Sequence, residues 1–168
     1  MPPTSATAEI RPATPADLPA AAAIYDEQVR VGISTFDLEP PPVEYWEHHL
    51  ASTEPGDHFL VAEVDGRIVG FAYASAYRPR PGYRLTRETS VYLSEEARGQ
   101  GLGRRMYDDL LDRVRADGIH VVLALVALPN PASIALHEAC GFEHLGTMRE
   151  VGRKFDRWLD TAWYQLLL

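Results

Sequence analysis

The stretch Arg98-Gly99-Gln100-Gly101-Leu102-Gly103 lies between a predicted strand and a predicted helix, and this arrangement predicts an anion-binding loop. Glycine allows the backbone to turn tightly and to approach a ligand closely. The first N–H groups of the following helix are unpaired and lie at the positive end of its dipole. Together these features suit a pyrophosphate. Arg98, Arg104 and Arg105 add positive charge around the loop.

Two common phosphate-binding loops fit this glycine loop poorly. A Walker loop needs Lys followed by Ser or Thr after its last glycine, and here Arg104-Arg105 follows. A dinucleotide-binding loop has the spacing G-x-G-x-x-G near the start of a βαβ unit, whereas these glycines alternate and lie late in the chain. A simple strand-to-helix turn also explains them, because a glycine triplet alone is weak evidence of a ligand.

The hydrophobic pattern on both sides of the loop predicts one α/β (α+β) domain, with a mixed antiparallel and parallel sheet flanked by helices. Before the loop the pattern predicts a strand, a helix capped by Asp17, a second helix and three strands: residues 9–12, 17–30, 43–52, 59–64, 67–74 and 88–93. From the loop onward it predicts a helix, a strand, a helix and two antiparallel strands: residues 102–116, 119–127, 132–140 and the remaining chain. The domain is expected to cover residues 9–168, and residues 1–8 to form a flexible tail.

Composition excludes several classes of function. The formal net charge of −8 disfavours nucleic-acid binding, which needs a cationic surface. A single cysteine, Cys140, cannot form an internal disulfide or a thiolate metal site. His48 and His49 point in different directions on a helix and do not form a metal pair, so no metal is predicted. Without a signal-like start or a bilayer-length apolar run, we expect a cytoplasmic protein that binds neither membrane nor nucleic acid.

Two motifs resemble those of the GNAT acetyltransferase superfamily. Residues 90–103 resemble its central motif, a strand followed by Arg/Gln-x-x-Gly-x-Gly/Ala, at every fixed position. Residues 130–142, Asn-Pro-Ala-Ser-Ile-Ala-Leu-His-Glu-Ala-Cys-Gly-Phe, resemble the family's next motif. From Ile10 onward the chain is similar to phosphinothricin and methionine-sulfoximine N-acetyltransferases, and Ser34-Thr35-Phe36 and residues 86–92 carry this narrower likeness.

The resemblance implies a GNAT-like fold, acetyl-CoA as co-substrate, a small-molecule amine as acceptor and a homodimer. It places the backbone of residues 91–93 beside the acetyl and pantetheine groups and the amides of the glycine loop around the pyrophosphate. The cofactor-binding residues that it implies are Val91, Tyr92, Leu93, Arg98, Gly99, Gln100, Gly101, Leu102, Gly103, Arg104, Asn130 and Ser133.

Acetyl transfer to an amine requires three catalytic functions, and the resemblance suggests a residue for each. A protonated amine needs a base, for which Glu88 is the candidate. The oxyanion needs an N–H donor, such as that of Tyr92. The leaving thiolate needs a proton donor, and His137 stands where many GNAT enzymes have a tyrosine. A solvated Glu88 and a merely packed His137 are the non-catalytic alternatives.

An amino-acid acceptor carries a carboxylate, which arginine can bind through two hydrogen bonds. The candidate acceptor-binding residues are Phe36, Arg78, Arg80, Tyr83, Glu88, Thr89 and Ser90. Tyr107 is a further candidate, although aromatic residues at such spacing are more often core residues. Cys140 is expected to behave as a small hydrophobe, which favours direct transfer in a ternary complex over an acyl-cysteine intermediate.

Two other functions remain open at this point. A peptide or protein N-acetyltransferase would need an open groove for an extended chain. A non-catalytic acetyl-CoA sensor would have no need of Glu88 and His137.

Overall fold

Seven strands and four α-helices follow one another in the predicted order in the computed structural model, which describes residues 7–168. The strands are β1 (Glu9–Pro12), β2 (His58–Val64), β3 (Arg67–Ala76), β4 (Thr86–Leu93), β5 (Val121–Ala127), β6 (Glu143–Lys154) and β7 (Arg157–Leu167). The helices are α1 (Leu18–Val31), α2 (Val43–Ala51), α3 (Leu102–Ala116) and α4 (Pro131–Ala139).

All seven strands form one sheet with the order β1-β2-β3-β4-β5-β7-β6. Neighbouring strands are antiparallel except β4 and β5, which are parallel. This is the mixed sheet that the sequence predicts, and the tight β2–β3 turn has positive φ angles at Asp65 and Gly66. Two left-handed residues in a two-residue turn match the twist of the strands that it joins.

Alternating side chains on the central strands form two separate cores. Phe71 and Tyr73 of β3 pack with Trp46 and Tyr25 under α1 and α2. Ala72 of β3 instead joins the larger core under α3 on the opposite face, with Met106, Tyr107 and Leu110. The helices therefore cover both faces of the sheet. Because side chains alternate along a strand, successive residues of β4 face α1 and α2 or α3 in turn.

The parallel pairing of β4 with β5 is short. Among the described residues it covers three pairs and ends at Glu88 opposite Leu123. Beyond this point β5 stays paired with β7 as far as Ala127, while β4 stays paired with β3 as far as Leu93. The two central strands therefore separate and open a cleft in the middle of the sheet.

Two local expectations need correction or restriction. Asp17 stands before α1, but its carboxylate does not cap that helix; it accepts hydrogen bonds from Arg11 and Thr14 instead. Residues 1–6 of the expected tail lie outside the described residues. Ala8 is buried, and its carbonyl accepts a hydrogen bond from Arg105 Nη2 at 2.7 Å.

None of the helices formed by residues 7–168 has the length and apolar character needed to span a bilayer.

Candidate active site

A cavity of about 600 Å³ lies where β4 and β5 separate. Its walls come from the free ends of these two strands, the glycine loop and α4. Most of the predicted site residues line it: Thr89, Ser90, Val91, Tyr92, Leu93, Arg98, Gly99, Gly101, Gly103, Arg104, Asn130, Ser133 and His137. The cleft in the sheet therefore brings together residues from both predicted motifs.

The loop requires glycine at its three glycine positions for two different structural reasons. Gly99 and Gly101 have φ angles of 72° and 75°, a left-handed conformation that glycine adopts without strain. Gly103 instead allows α3 to approach α4, because a Cβ there would lie 3.3 Å from Leu136 Cδ2. Gln100 and Leu102 are predicted site residues that do not line the cavity. The Gln100 amide donates to the Glu96 carbonyl, and the Leu102 side chain is in the core.

The arginines around the loop differ in their contacts. Arg98 donates from Nε and Nη2 to the Leu93 carbonyl, at 3.3 and 3.2 Å, and so ties the loop to the end of β4. Arg104 lines the cavity and pairs with Asp108 at 2.8 Å. Arg105 is held at the Ala8 carbonyl and does not line the cavity. The predicted positive charge near the anion-binding end therefore comes from Arg98 and Arg104.

The start of α4 forms the opposite wall. Asn130 occupies the N-cap position, and its Oδ1 accepts a hydrogen bond from the Ser133 backbone N–H at 3.1 Å. This capping interaction holds both side chains at the mouth of the helix, where both line the cavity.

His137 is buried and is linked to a chain of hydroxyl groups. Its Nδ1 lies 2.7 Å from the Ser133 carbonyl, which can only accept, so Nδ1 carries the proton. Burial lowers the pKa of His137, so the ring is neutral at pH 7 and Nε2 is an acceptor. The Tyr107 hydroxyl lies 3.0 Å from this Nε2 and 3.2 Å from Thr89 Oγ1. The chain Thr89–Tyr107–His137 therefore joins β4, α3 and α4.

Glu88 lies at the point where the parallel pairing ends, outside the cavity lining. Strand alternation places Glu88, Ser90 and Tyr92 on the face covered by α1 and α2, while Thr89 contacts Tyr107 on the other face. Burial raises the pKa of Glu88, and the positive charge of Arg78 opposes that rise. A carboxyl with a raised pKa near a cleft is a reasonable general base.

The predicted acceptor-binding side chains are more scattered. The Arg78 guanidinium lies 5.0 Å above the Tyr77 ring, and Tyr83 packs edge-on against the same ring. Arg80 is exposed. Phe36 is close against Gly152 of β6, where even a Cβ would collide with its ring. The structure thus places Arg78 near both Tyr83 and Glu88, and it packs Phe36 against β6.

One cavity residue, Gln28, was missed from the sequence, although the sequence pattern could have indicated it. Gln28 lines the cavity together with Ser34, and it continues the buried stripe of α1 formed by Ala21, Ile24 and Tyr25. A polar residue in a buried helical stripe is unusual and predicts a specific partner. Ser34 carries no comparable signal, because it lies in an irregular connection.

Cys140 is a poor candidate for a nucleophile. Burial raises the pKa of the Cys140 thiol, which keeps it protonated and a poor nucleophile. Among residues 7–168, no group of three His, Cys, Asp or Glu side chains is arranged to hold a metal ion.

Comparison with known proteins identifies related families. The acetyltransferase (GNAT) family matches residues 21–142. The phosphinothricin N-acetyltransferase of Streptomyces coelicolor is 40% identical over 167 residues, covering 97% of this chain and 98% of that protein. The L-methionine sulfoximine/L-methionine sulfone acetyltransferase of Pseudomonas paraeruginosa is 41% identical, covering 96% and 95%.

Comparison with solved structures finds the same fold in a protein of this family. The crystal structure of a GNAT superfamily phosphinothricin acetyltransferase from Sinorhizobium meliloti, in complex with AcCoA, superimposes with a TM-score of 0.91. The two chains are 41% identical, and the match covers 96% of this chain and 89% of the other.

Proposed function

The chain belongs to the acetyltransferase (GNAT) family, and we propose that it transfers the acetyl group of acetyl-CoA to the amine of a small amino-acid analogue. The proposed acceptors are phosphinothricin, methionine sulfoximine and methionine sulfone, which appear in the names of relatives about 40% identical over nearly the whole chain. The observation that carries the proposal is the cavity between β4 and β5, with a glycine loop and a helix start at one end.

The residues of the cavity fit acetyl-CoA. The free edge of β4 after Glu88 offers backbone groups to the amides of a pantetheine arm. The left-handed glycines Gly99 and Gly101 expose the loop backbone, and the first N–H groups of α3 suit a pyrophosphate. Asn130 and Ser133 form the facing wall. When bound, acetyl-CoA supplies the activated thioester.

The two faces of the sheet separate the base from the group that receives the leaving sulfur. Glu88 lies on the α1 and α2 face, whereas Tyr107 and His137 lie on the α3 and α4 face. An amine entering from the Glu88 side would give up its proton to Glu88, directly or through water, and attack the thioester. The sulfur would then leave toward Tyr107. This arrangement supports direct transfer in a ternary complex.

His137, the candidate acid from the sequence, would act through Tyr107. Both of its ring nitrogens are occupied, Nδ1 by the Ser133 carbonyl and Nε2 by the Tyr107 hydroxyl. Burial raises the pKa of Tyr107, so its hydroxyl stays protonated at neutral pH. This hydroxyl can rotate from His137 toward the sulfur and stabilise the developing thiolate by hydrogen bonding.

The sequence candidate for the oxyanion donor, the N–H of Tyr92, is wrong, because it points toward β3: two residues later the Ser94 N–H donates to the Val69 carbonyl of β3 at 2.9 Å, and backbone groups alternate along a strand. The N–H groups of Val91 and Leu93 point toward the cleft, and one of them is the proposed donor.

We also propose that the protein assembles as a homodimer. Several large apolar side chains of β6, β7 and their connecting turn are exposed: Leu145, Met148, Val151, Phe155 and Trp158. β6 is also an edge strand, with one side free to pair. A second copy that covered this surface would bury the exposed apolar side chains and pair the free edge of β6.

The proposed acceptor class is tested by following thiol release from acetyl-CoA with purified protein. The panel contains phosphinothricin, methionine sulfoximine, methionine sulfone, unmodified amino acids and peptides with free N-termini. We expect turnover on the first three compounds. Turnover on peptides alone would replace this proposal with a peptide N-acetyltransferase, and acetyl-CoA binding with no turnover on any amine would leave a sensor.

A further inference from the structure

Gln28 is a polar residue buried where α1 ends, beside the reaction cavity. Only 8% of its surface is exposed. It lines the cavity together with Ser34, Ser90 and Tyr92. The proposed reaction assigns no role to it, although a buried amide requires hydrogen-bond partners.

The surroundings of Gln28 fix the direction of its side chain. Its Oε1 accepts a hydrogen bond from Ser34 Oγ at 3.2 Å, and its backbone carbonyl accepts from Lys154 Nζ at 3.1 Å. Gly32 makes room for the amide, because a Cβ there would collide with Gln28 Oε1. With Oε1 occupied, the amide nitrogen makes no hydrogen bond to another group of residues 7–168, and it is not one of the fully buried polar atoms that lack a partner. It is therefore open to the cavity and available to a ligand there.

Gln28 belongs to the face of the sheet that carries the candidate base. The Tyr92 hydroxyl donates to the Ser34 carbonyl at 3.4 Å, and the Tyr92 ring packs edge-on against Tyr25 of α1. Glu88 lies on this same face, four residues earlier on β4, which corresponds to about 13 Å along the strand. Gln28 lines the cavity, whereas Glu88 lies on the same face outside the cavity lining, so the two side chains occupy different positions around the space through which the acceptor amine must approach.

The charged groups near Glu88 and near Gln28 differ in what they offer to the cavity. Arg78 lies near Glu88 and is a suitable partner for a carboxylate. Near Gln28, the Lys154 ammonium donates to the Gln28 and Thr35 backbone carbonyls and does not line the cavity, so the group that lines it there is the neutral Gln28 amide. A neutral N–H donor suits a neutral oxygen that can only accept, such as the oxygen of a sulfone or sulfoximine. We propose that Gln28 Nε2 donates a hydrogen bond to the side-chain oxygen of the acceptor and so selects oxidised sulfur side chains over thioethers. This inference rests on the proposed function.

The test compares methionine sulfone with methionine, which lacks the sulfone oxygens. Both are assayed with wild type and Gln28→Leu at saturating acetyl-CoA, and methionine is also measured as a competitor of the sulfone so that its affinity does not depend on turnover. Loss of one neutral hydrogen bond should lower kcat/KM for the sulfone about three- to tenfold. The affinity for methionine and the KM for acetyl-CoA should stay within about twofold of wild type, since neither depends on this bond.

A second variant moves the amide without removing it. Gly32 has a φ of −103°, so Gly32→Ala introduces no backbone strain, and its methyl group displaces the Gln28 side chain. We expect the same selective loss on the sulfone. Gln165→Leu makes the same chemical change as Gln28→Leu on β7, outside the cavity lining, and should behave like wild type.

The outcomes separate this inference from the proposed function. Equal losses on sulfone and methionine, or a rise in the KM for acetyl-CoA alone, would overturn the role of Gln28 and leave the acetyltransferase proposal intact. Failure of wild type to acetylate methionine sulfone would overturn the assignment of this acceptor and the Gln28 role with it. Thermal melting of each variant shows whether a loss is selective or reflects unfolding, and an unfolded Gln28→Leu leaves the decision to Gly32→Ala.

Discussion

At the scale of single residues, the pair Glu88 and Arg78 determines where the candidate base ionises. Glu88 is half-buried, and burial raises its pKa because a charged carboxylate is poorly solvated there. Arg78 is exposed and lowers the same pKa through its positive charge. The two effects oppose each other, so removing Arg78 leaves the effect of burial uncompensated.

We predict that Arg78→Gln moves the acidic limb of the pH profile of kcat/KM to higher pH. The base must be ionised to accept a proton, so activity falls as pH drops through the pKa of Glu88. Because Arg78 is exposed, salt should screen its charge, and the difference from wild type should shrink at high ionic strength. Arg80→Gln serves as the control with an unchanged limb. A limb that stays in place or moves to lower pH in Arg78→Gln would contradict the assignment of Glu88.

Individual residues were predictable from the sequence when a motif or a periodicity contained them. The glycine loop and His137 fall within two motifs, and both line the cavity. The partnership of His137 with Tyr107 was not predictable, because it joins α3 to α4 across 30 residues of chain. Tyr107 reads as a core residue from its helical spacing, and it is also buried.

At the scale of elements, an ionic cluster joins β1, β2 and the start of α1. Arg11 of β1 donates to Asp17 Oδ1 and Oδ2 at 2.9 and 2.8 Å, and to Glu63 of β2 at 2.7 Å. Hydrogen bonding from Arg11 lowers the pKa of Asp17 to about 2, and the N–H and hydroxyl of Thr14 add to this effect. Asp17 thus stabilises the packing of β1 and the short 3-10 turn Pro15–Asp17, whose start it caps through the Thr14 N–H, instead of the first turn of α1.

Asp17→Asn should lower the free energy of unfolding by about 1–2 kcal/mol at pH 7, a value reduced for the partial exposure of Arg11. A carboxyl whose pKa is lowered by folding contributes its full stabilisation above its unfolded pKa of about 3.9. That contribution is lost as pH falls through the folded value of about 2. Urea unfolding at several pH values should therefore show wild type and Asp17→Asn converging between about pH 4 and pH 2. Glu9→Gln, at an exposed position of β1, is the matched control; a difference that is constant with pH would exclude this ionic origin.

The order of the elements followed from the hydrophobic periods, because each helix and strand has a clear apolar face. The separation of β4 from β5 did not follow from them. It depends on β5 staying paired with β7 while β4 stays paired with β3, which are contacts between distant parts of the chain. The side chain of Asp17 was misassigned for the same reason, since its strongest partner, Arg11, lies on another element.

At the scale of the whole molecule, exposed large apolar side chains cluster in two places, at Val31, Leu38 and Val43 around the α1–α2 connection and along the β6–β7 edge. The described cores lie under the helices, whereas the β6–β7 edge leaves Leu145, Val151 and Trp158 between 49% and 60% exposed. Lys154, in the same hairpin, donates to the Thr35 carbonyl at 3.0 Å and so ties this edge to the connection between α1 and α2. A second copy bound here would act on the same connection that holds Ser34 at the cavity.

We predict that the protein is a dimer in solution and that the double variant Leu145→Glu and Val151→Glu is a monomer. Two carboxylates on an apolar interface must lose their hydration without gaining partners, which costs more than the contact gains. Light scattering coupled to size exclusion should give about twice the chain mass of 18.7 kDa for wild type and the single mass for the variant. Val43→Glu, at an exposed apolar position of α2, should remain dimeric. A wild type that is monomeric even at high protein concentration would contradict the dimer. A double variant that keeps the dimer mass would rule out this edge as the interface.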